Sequence, residues 1–179
     1  MKIQSFIRDK MGLRPVEVEV SLTPGIPRIQ FLGLPDATIK ESVLRIQSAL
    51  KHCGFDLPKS KQIIVQLKPN YLKKSSRGID LAVAAGILWE IGQAPKPEEE
   101  SVSLYGELTL KGDVLVPDDF NDLEDPSEKL YTGKIESSQG FDIYSLSSLR
   151  DISNPVFWSK SDDHISIKRP HIADFKITK

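Results

Sequence analysis

Lys68, Lys73, Lys74 and Arg77 place four cations within ten residues, with Tyr71 and two serines, Ser75 and Ser76, among them. Cations at that density can neutralise phosphates, and each one neutralised steepens the salt dependence of binding. Tyr71 can stack on a base. Short Lys/Arg clusters are also common on solvated loops, so the same residues fit a plain surface connection. Metal chemistry has less to work with. His52, His164 and His171 show no H-x-x-x-H spacing, and the single cysteine, Cys53, builds no cluster. Asp118, Asp119, Asp122, Glu124 and Asp125 could draw a divalent cation, but they lack the D-x-[DN]-x-[DN]-G pattern and terminal Glu of a calcium loop. No G-x-x-x-x-G-K-[ST] occurs, so this sequence carries no phosphate cradle of that kind.

The elements that position these residues follow from periodicity. Val16, Val18, Val20 and Leu22 alternate with Glu17, Glu19 and Ser21, which predicts a strand over 14–22 with one dry face. Thr23-Pro24-Gly25 predicts a turn, and 28–34 a second strand paired with the first as a hairpin. Asp36 suits the N-cap of a helix over 37–53. Its apolar face is Ile39, Val43, Ile46, Leu50 and Cys53, which leaves Lys40, Arg45, Gln47 and Lys51 wet. Gly54 supplies a left-handed stop, and Cys53 reads as a small buried hydrophobe. Lys61–Lys68 alternates as a strand with Ile63, Val65 and Leu67 on one side. Asp80 is expected to cap a helix over 81–91 that is apolar all round and therefore buried. Strands are expected at 102–104 and 107–110, with a return at 114–116 after Lys111-Gly112-Asp113. The acidic run 118–128 reads as a solvated loop or short helix. Another strand is expected at 142–144, then a short helix over 145–152 capped by Ser145. Strands and helices mix without regular βαβ alternation, which favours an α+β fold: a mixed sheet with helices packed on one face.

Composition bounds the function. The 179 residues are 39% hydrophobic and 27% charged, as in ordinary globular domains. One cysteine excludes an internal disulfide, and the cytoplasm is the expected compartment. The first ten residues lack the apolar core of a signal peptide, and no apolar run reaches the ~18 residues of a membrane span. Net charge is −1, but residues 1–80 hold 14 Lys and Arg against 7 Asp and Glu, and residues 81–179 hold 10 against 18. Opposite halves can neutralise each other within one fold or present two faces to different partners.

Several segments together resemble the Mg-chelatase-like ComM/YifB family of AAA+ proteins. They are Val16-Glu17-Val18-Glu19-Val20 with Pro24-Gly25-Ile26-Pro27, and Phe31-Leu32-Gly33-Leu34-Pro35-Asp36-Ala37-Thr38-Ile39-Lys40-Glu41. Arg45-Ile46-Gln47-Ser48-Ala49-Leu50, Gly54-Phe55 and Pro58 follow, then Ile64 to Lys68, Asp80-Leu81-Ala82-Val83-Ala84 and Gly106-Glu107-Leu108-Thr109-Leu110-Lys111-Gly112. The resemblance covers Val16 to Val116. It implies a ribosomal-protein-S5-domain-2-like fold, shared with the Lon protease domain and the N-terminal part of ChlI, over residues 1–153. Residues 154–179 would then be a tail or linker towards an AAA+ motor that this chain lacks, with His171-Ile172-Ala173-Asp174-Phe175 similar to the family's lead-in to it. ATP and Mg would belong only to that motor. The implied partners are the motor itself, sister subunits in a hexameric ring and DNA, with no membrane.

The Lon-like fold can host a Ser-Lys dyad, in which a neighbouring base activates the hydroxyl. Aligned on the loop before Asp80, the serine position of that dyad falls on Gly78, and the lysine position falls in Val116-Pro117-Asp118-Asp119-Phe120-Asn121-Asp122, which contains none. The resemblance therefore implies an accessory domain without catalysis, acting in oligomer assembly and in partner or DNA engagement. A diverged Lon-like peptidase and a free-standing nucleic-acid-binding domain are the alternatives. Contact residues, under either binding reading, would be Lys68, Tyr71, Lys73, Lys74 and Arg77.

Overall fold

Alternating burial starts at the N-terminus. In β1 (Lys2–Asp9), Ile3, Ser5 and Ile7 are buried on one side and Phe6 on the other. β2 (Gly12–Pro24) and β4 (Lys61–Lys68) follow the expected pattern, with Val16, Val18, Ile63, Val65 and Leu67 inward. The remaining strands are short: β3 (Ile29–Phe31), β5 (Ser101–Leu104), β6 (Glu107–Leu108), β7 (Val114–Leu115), β8 (Leu130–Thr132) and β9 (Ile143–Ser145). These elements come from a computed structural model that describes residues 1–33, 37–69, 77–124, 129–135 and 143–154. Seven strands form one sheet in the order β3-β4-β2-β1-β5-β8-β9, and β6 and β7 form a separate small hairpin. Within the seven-stranded sheet, the β1–β2 and β2–β4 pairings are antiparallel and the other four neighbours run parallel. The result is the expected α+β class, a mixed and mostly parallel sheet with two helices.

The expected hairpin between the strands around Val18 and Gln30 does not form. β4 lies between them, antiparallel to β2 and parallel to β3. The reason is pairing length. β2 and β4 share eight facing residues, from Glu17 opposite Lys68 to Pro24 opposite Lys61. The Gly25 amide donates to Ser60 O at 3.2 Å, which carries the chain across the start of β4 and places β3 on its far side.

Helix α1 (Ala37–His52) buries Ile39, Ser42, Ile46, Ala49 and Leu50. It stops as expected: Gly54 takes φ +84°, Phe55 N donates to Leu50 O at 3.0 Å and Gly54 N to Lys51 O at 3.1 Å. That paired closure satisfies two carbonyls the helix end would leave open. Helix α2 (Asp80–Glu90) is buried from Asp80 through Trp89. Burying a Leu or Ile side chain contributes ~1.5–3 kcal/mol, so Leu81, Ile87 and Leu88 make α2 the centre of the main core. Asp80 does not cap it. The N-cap is Ile79, with no side-chain hydrogen bond, because the Asp80 carboxylate turns to Arg45.

A second core lies behind the sheet, where Phe6, Tyr105, Phe120, Leu123, Leu130 and Ile143 pack together. It changes the reading of the acidic run. Residues Phe120–Asp122 form a 3-10 turn whose Phe120 is buried, and Asp119 and Asp122 bond to Arg8 instead of facing only water. Near the C-terminal end, the short helix is a 3-10 turn, Leu149–Ser153, capped by Ser148 in a capping box with Asp151, not by Ser145. Ser145 belongs to β9 instead. The expected cap at Asp36 and the tail from 155 onward lie outside the described residues.

Candidate functional site

The first turn of α2 and the strand end at β5 meet in a densely hydrogen-bonded polar region. Gly106 N donates to Gly78 O at 2.8 Å and Leu81 N to Gly106 O at 3.0 Å, which ties residues 78–81 to the end of β5. Tyr105, fully buried, lies directly against Gly78. A Cβ at position 78 would stand 2.1 Å from Tyr105 Cε2 and 2.5 Å from Cζ. No side chain fits there while the ring is in place. The ring itself is fixed. Phe6 meets it edge-on at 5.5 Å between centroids, and its hydroxyl donates to Asp119 Oδ1 at 2.6 Å. Asp119 Oδ2 accepts from Arg8 Nε at 3.0 Å, and a second Arg8 nitrogen donates to Asp122. Hydrogen bonds to Asp122 and then Asp119 raise the Arg8 pKa above its ordinary value.

On the other side of the α2 N-terminus sits a buried ion pair. Asp80 is fully buried and accepts from Arg45 Nε at 2.8 Å, from Arg45 Nη2 at 3.3 Å and from the Leu108 amide at 3.3 Å. Arg45 Nη2 also donates to Ser42 Oγ at 2.9 Å. Burial pushes the Asp80 carboxyl above the usual carboxylate range, against the pull of Arg45, Ser42 and the Leu108 amide. Burial also opposes the Arg45 charge, and the Asp80 hydrogen bond and charge outweigh it. Arg45 was expected to be wet. Its side chain is only 14% exposed, because position 45 borders the buried stripe and its guanidinium reaches inward to Asp80. The pair joins α1, α2 and the β6–β7 hairpin at one point.

Of the five expected contact residues, two are described, and both are already paired. Lys68 Nζ lies 2.6 Å from Glu19 Oε1, and that hydrogen bond raises its pKa. Arg77 Nη1 lies 3.5 Å from Glu107 Oε1. Tyr71, Lys73 and Lys74 lie outside the described residues. Three serines are buried among the described residues. Ser42 bonds to Arg45, Ser103 Oγ donates to Gln4 Oε1 at 3.4 Å, and Ser5 Oγ is buried without a hydrogen-bond partner. Cys53 is buried as expected, with its Sγ 3.6 Å from Lys111 O. Among the described residues, no three His, Cys, Asp or Glu side chains gather as metal ligands would, and no helix is long and apolar enough to cross a membrane.

The Arg45–Asp80 pair and the Tyr105–Asp119–Arg8 chain are the site features that periodicity missed. A weak signal existed for the first: an arginine three residues after the buried Ser42 needs a partner. For the second there was none, since Arg8 and Asp119 are 111 residues apart.

Residues 18–117 match the family model described as subunit ChlI of Mg-chelatase. The chain is 35% identical over 98 residues to YifB of Escherichia coli, covering 55% of this chain and 19% of that protein. It is 36% identical over 109 residues to competence protein ComM of Haemophilus influenzae, covering 60% and 21%. A protein of Mycobacterium bovis is 36% identical over 99 residues, covering 55% and 20%. The matched part of the chain thus spans about a fifth of the length of these relatives.

Proposed function

The chain belongs to the family of Mg-chelatase subunit ChlI, and from that premise we propose that it is a non-catalytic accessory domain of a Mg-chelatase-like AAA+ ATPase. Its work is to assemble subunits and to engage a partner or DNA in DNA processing, in the cytoplasm. ATP and Mg belong to a motor elsewhere in the full-length protein. The observation that carries this reading is the filled space at Gly78. A hydroxyl nucleophile needs a side chain at that position and a base beside it. Here the backbone faces a tyrosine ring at 2.1 Å from where the first side-chain carbon would be. The segment 116–122, where the base would stand, supplies Asp119 and Asp122 to Arg8. The name of one relative, a competence protein, supports the DNA-processing part of the reading.

Incubation with a serine-directed fluorophosphonate tests the absence of catalysis. The expected result is no covalent adduct by mass spectrometry at any serine. A stoichiometric adduct at one serine, abolished by its replacement with alanine, would sink the proposal in favour of a diverged peptidase.

A further inference from the structure

One face of α1 is left without cover. Leu44, 65% exposed, lies on the same side of the helix as Ser48 and Lys51, four and seven residues on. Ser48 Oγ donates to Leu110 O at 3.0 Å, which brings the tip of the β6–β7 hairpin, with Leu110 59% exposed, against that face. Cations surround the two leucines. Lys51 is in the last turn of α1. Lys111 follows Leu110, with its carbonyl 3.6 Å from Cys53 Sγ, and Arg150 Nη2 donates to His52 O at 3.2 Å. None of the three makes an ion pair among the described residues. Lys51, Lys111 and Arg150 outnumber the acidic groups nearby, Asp113 and the Arg45-paired Glu41, and exposed apolar groups beside a surplus of positive charge fit an interface with an oppositely charged protein surface.

The chain itself carries such a surface. Glu98, Glu99 and Glu100 lead into β5 and line a cavity of about 650 Å³ with Lys129 and Tyr131. Glu99 is held by Lys129 at 3.4 Å, while Glu98 and Glu100 are exposed and form no ion pair among the described residues. Intramolecular neutralisation thus stops short at both places. We infer that the leucine patch of one copy, with Lys51, Lys111 and Arg150, docks the Glu98–Glu100 run of a second copy. The contact is head-to-tail, since it joins two different surfaces, and such contacts close into rings or extend into filaments. A phosphate backbone would engage the three cations and leave Leu44 and Leu110 in water, which is why a protein surface fits better. This interface rests on the assembly role proposed above and gives it a location.

Charge reversal in two halves tests it on the 179-residue chain. One variant carries K51E, K111E and R150E; the other carries E98K and E100K. All five positions are exposed, so circular dichroism should show both variants folded as the parent. Sedimentation analysis of the parent should show concentration-dependent association that weakens with salt. Each variant alone should associate at least about tenfold more weakly. Mixed together, they should regain association, because each then offers the surface its partner lacks. A parent that stays monomeric at its highest soluble concentration overturns the interface. So do variants that associate like the parent, a mixture that fails to recover, or a basic face whose reversal affects only nucleic-acid binding. If such a monomer also takes no fluorophosphonate label, the interface fails while the non-catalytic reading stands.

Discussion

The two ends of β5 handle charge in opposite ways. At its C-terminal end, around Gly78 and Tyr105, the polar groups are spent on one another: Arg45 on Asp80, Tyr105 on Asp119, Arg8 on Asp119 and Asp122. At its N-terminal end, Glu98 and Glu100 stand in solvent beside an open cavity. Groups that are buried and mutually satisfied hold a fold in one state; exposed groups of one sign are free to meet a partner. Under the function proposed above, the region around Gly78 serves packing and contact falls to the exposed surface.

The sharpest way to break that contrast is to remove one member of the buried pair. R45M leaves Asp80 buried without its cation and should destabilise the fold by about 3 kcal/mol at neutral pH, read by urea unfolding. The loss should shrink as pH falls. A carboxyl whose folded pKa is raised contributes stability below its unfolded pKa of about 3.9 and loses it as pH rises through the folded value. The variant loses the pull of Arg45, so its Asp80 pKa rises further and a proton relieves it at a higher pH. A deficit that is constant or grows towards acid would show that Asp80 is not the buried charge at issue. A smaller effect is expected from Y105F, which deletes one hydroxyl and leaves the ring in place. Loss of its bond to Asp119 should cost about 1 kcal/mol, with Arg8 still neutralising the carboxylate. A thermal unfolding midpoint unchanged by Y105F would mean that the ring is held by packing alone.

The β2 and β4 strands of the sheet were legible in the sequence, because each has one wet face. β2 and β4 alternate cleanly, and α1 and α2 show their stripe and their uniform burial. β1 was not legible. Phe6 is buried behind the sheet while Ile3 and Ile7 are buried in front, so the period-two pattern breaks, and Lys2, Arg8 and Asp9 mask it further. β8 escaped for a similar reason: three residues, Leu130, Tyr131 and Thr132, are all buried and too few to show a period. Around the candidate site, the sequence singled out Gly78 and the lysine-free stretch 116–122 but not the contacts made there. What fills the space is a long-range matter. Tyr105 reads locally as the end of a strand, and nothing adjacent in sequence says that its ring turns towards residue 78.

A double-mutant cycle between Gly78→Ala and Tyr105→Leu tests directly whether that ring fills the space at position 78. Unfolding free energies of the parent, both single variants and the double variant should show that the added methyl is strongly destabilising beside tyrosine and far less so beside leucine. The predicted coupling exceeds about 1 kcal/mol. Additive effects, with the methyl equally tolerated in both backgrounds, would contradict the claim that Tyr105 occupies the space at position 78.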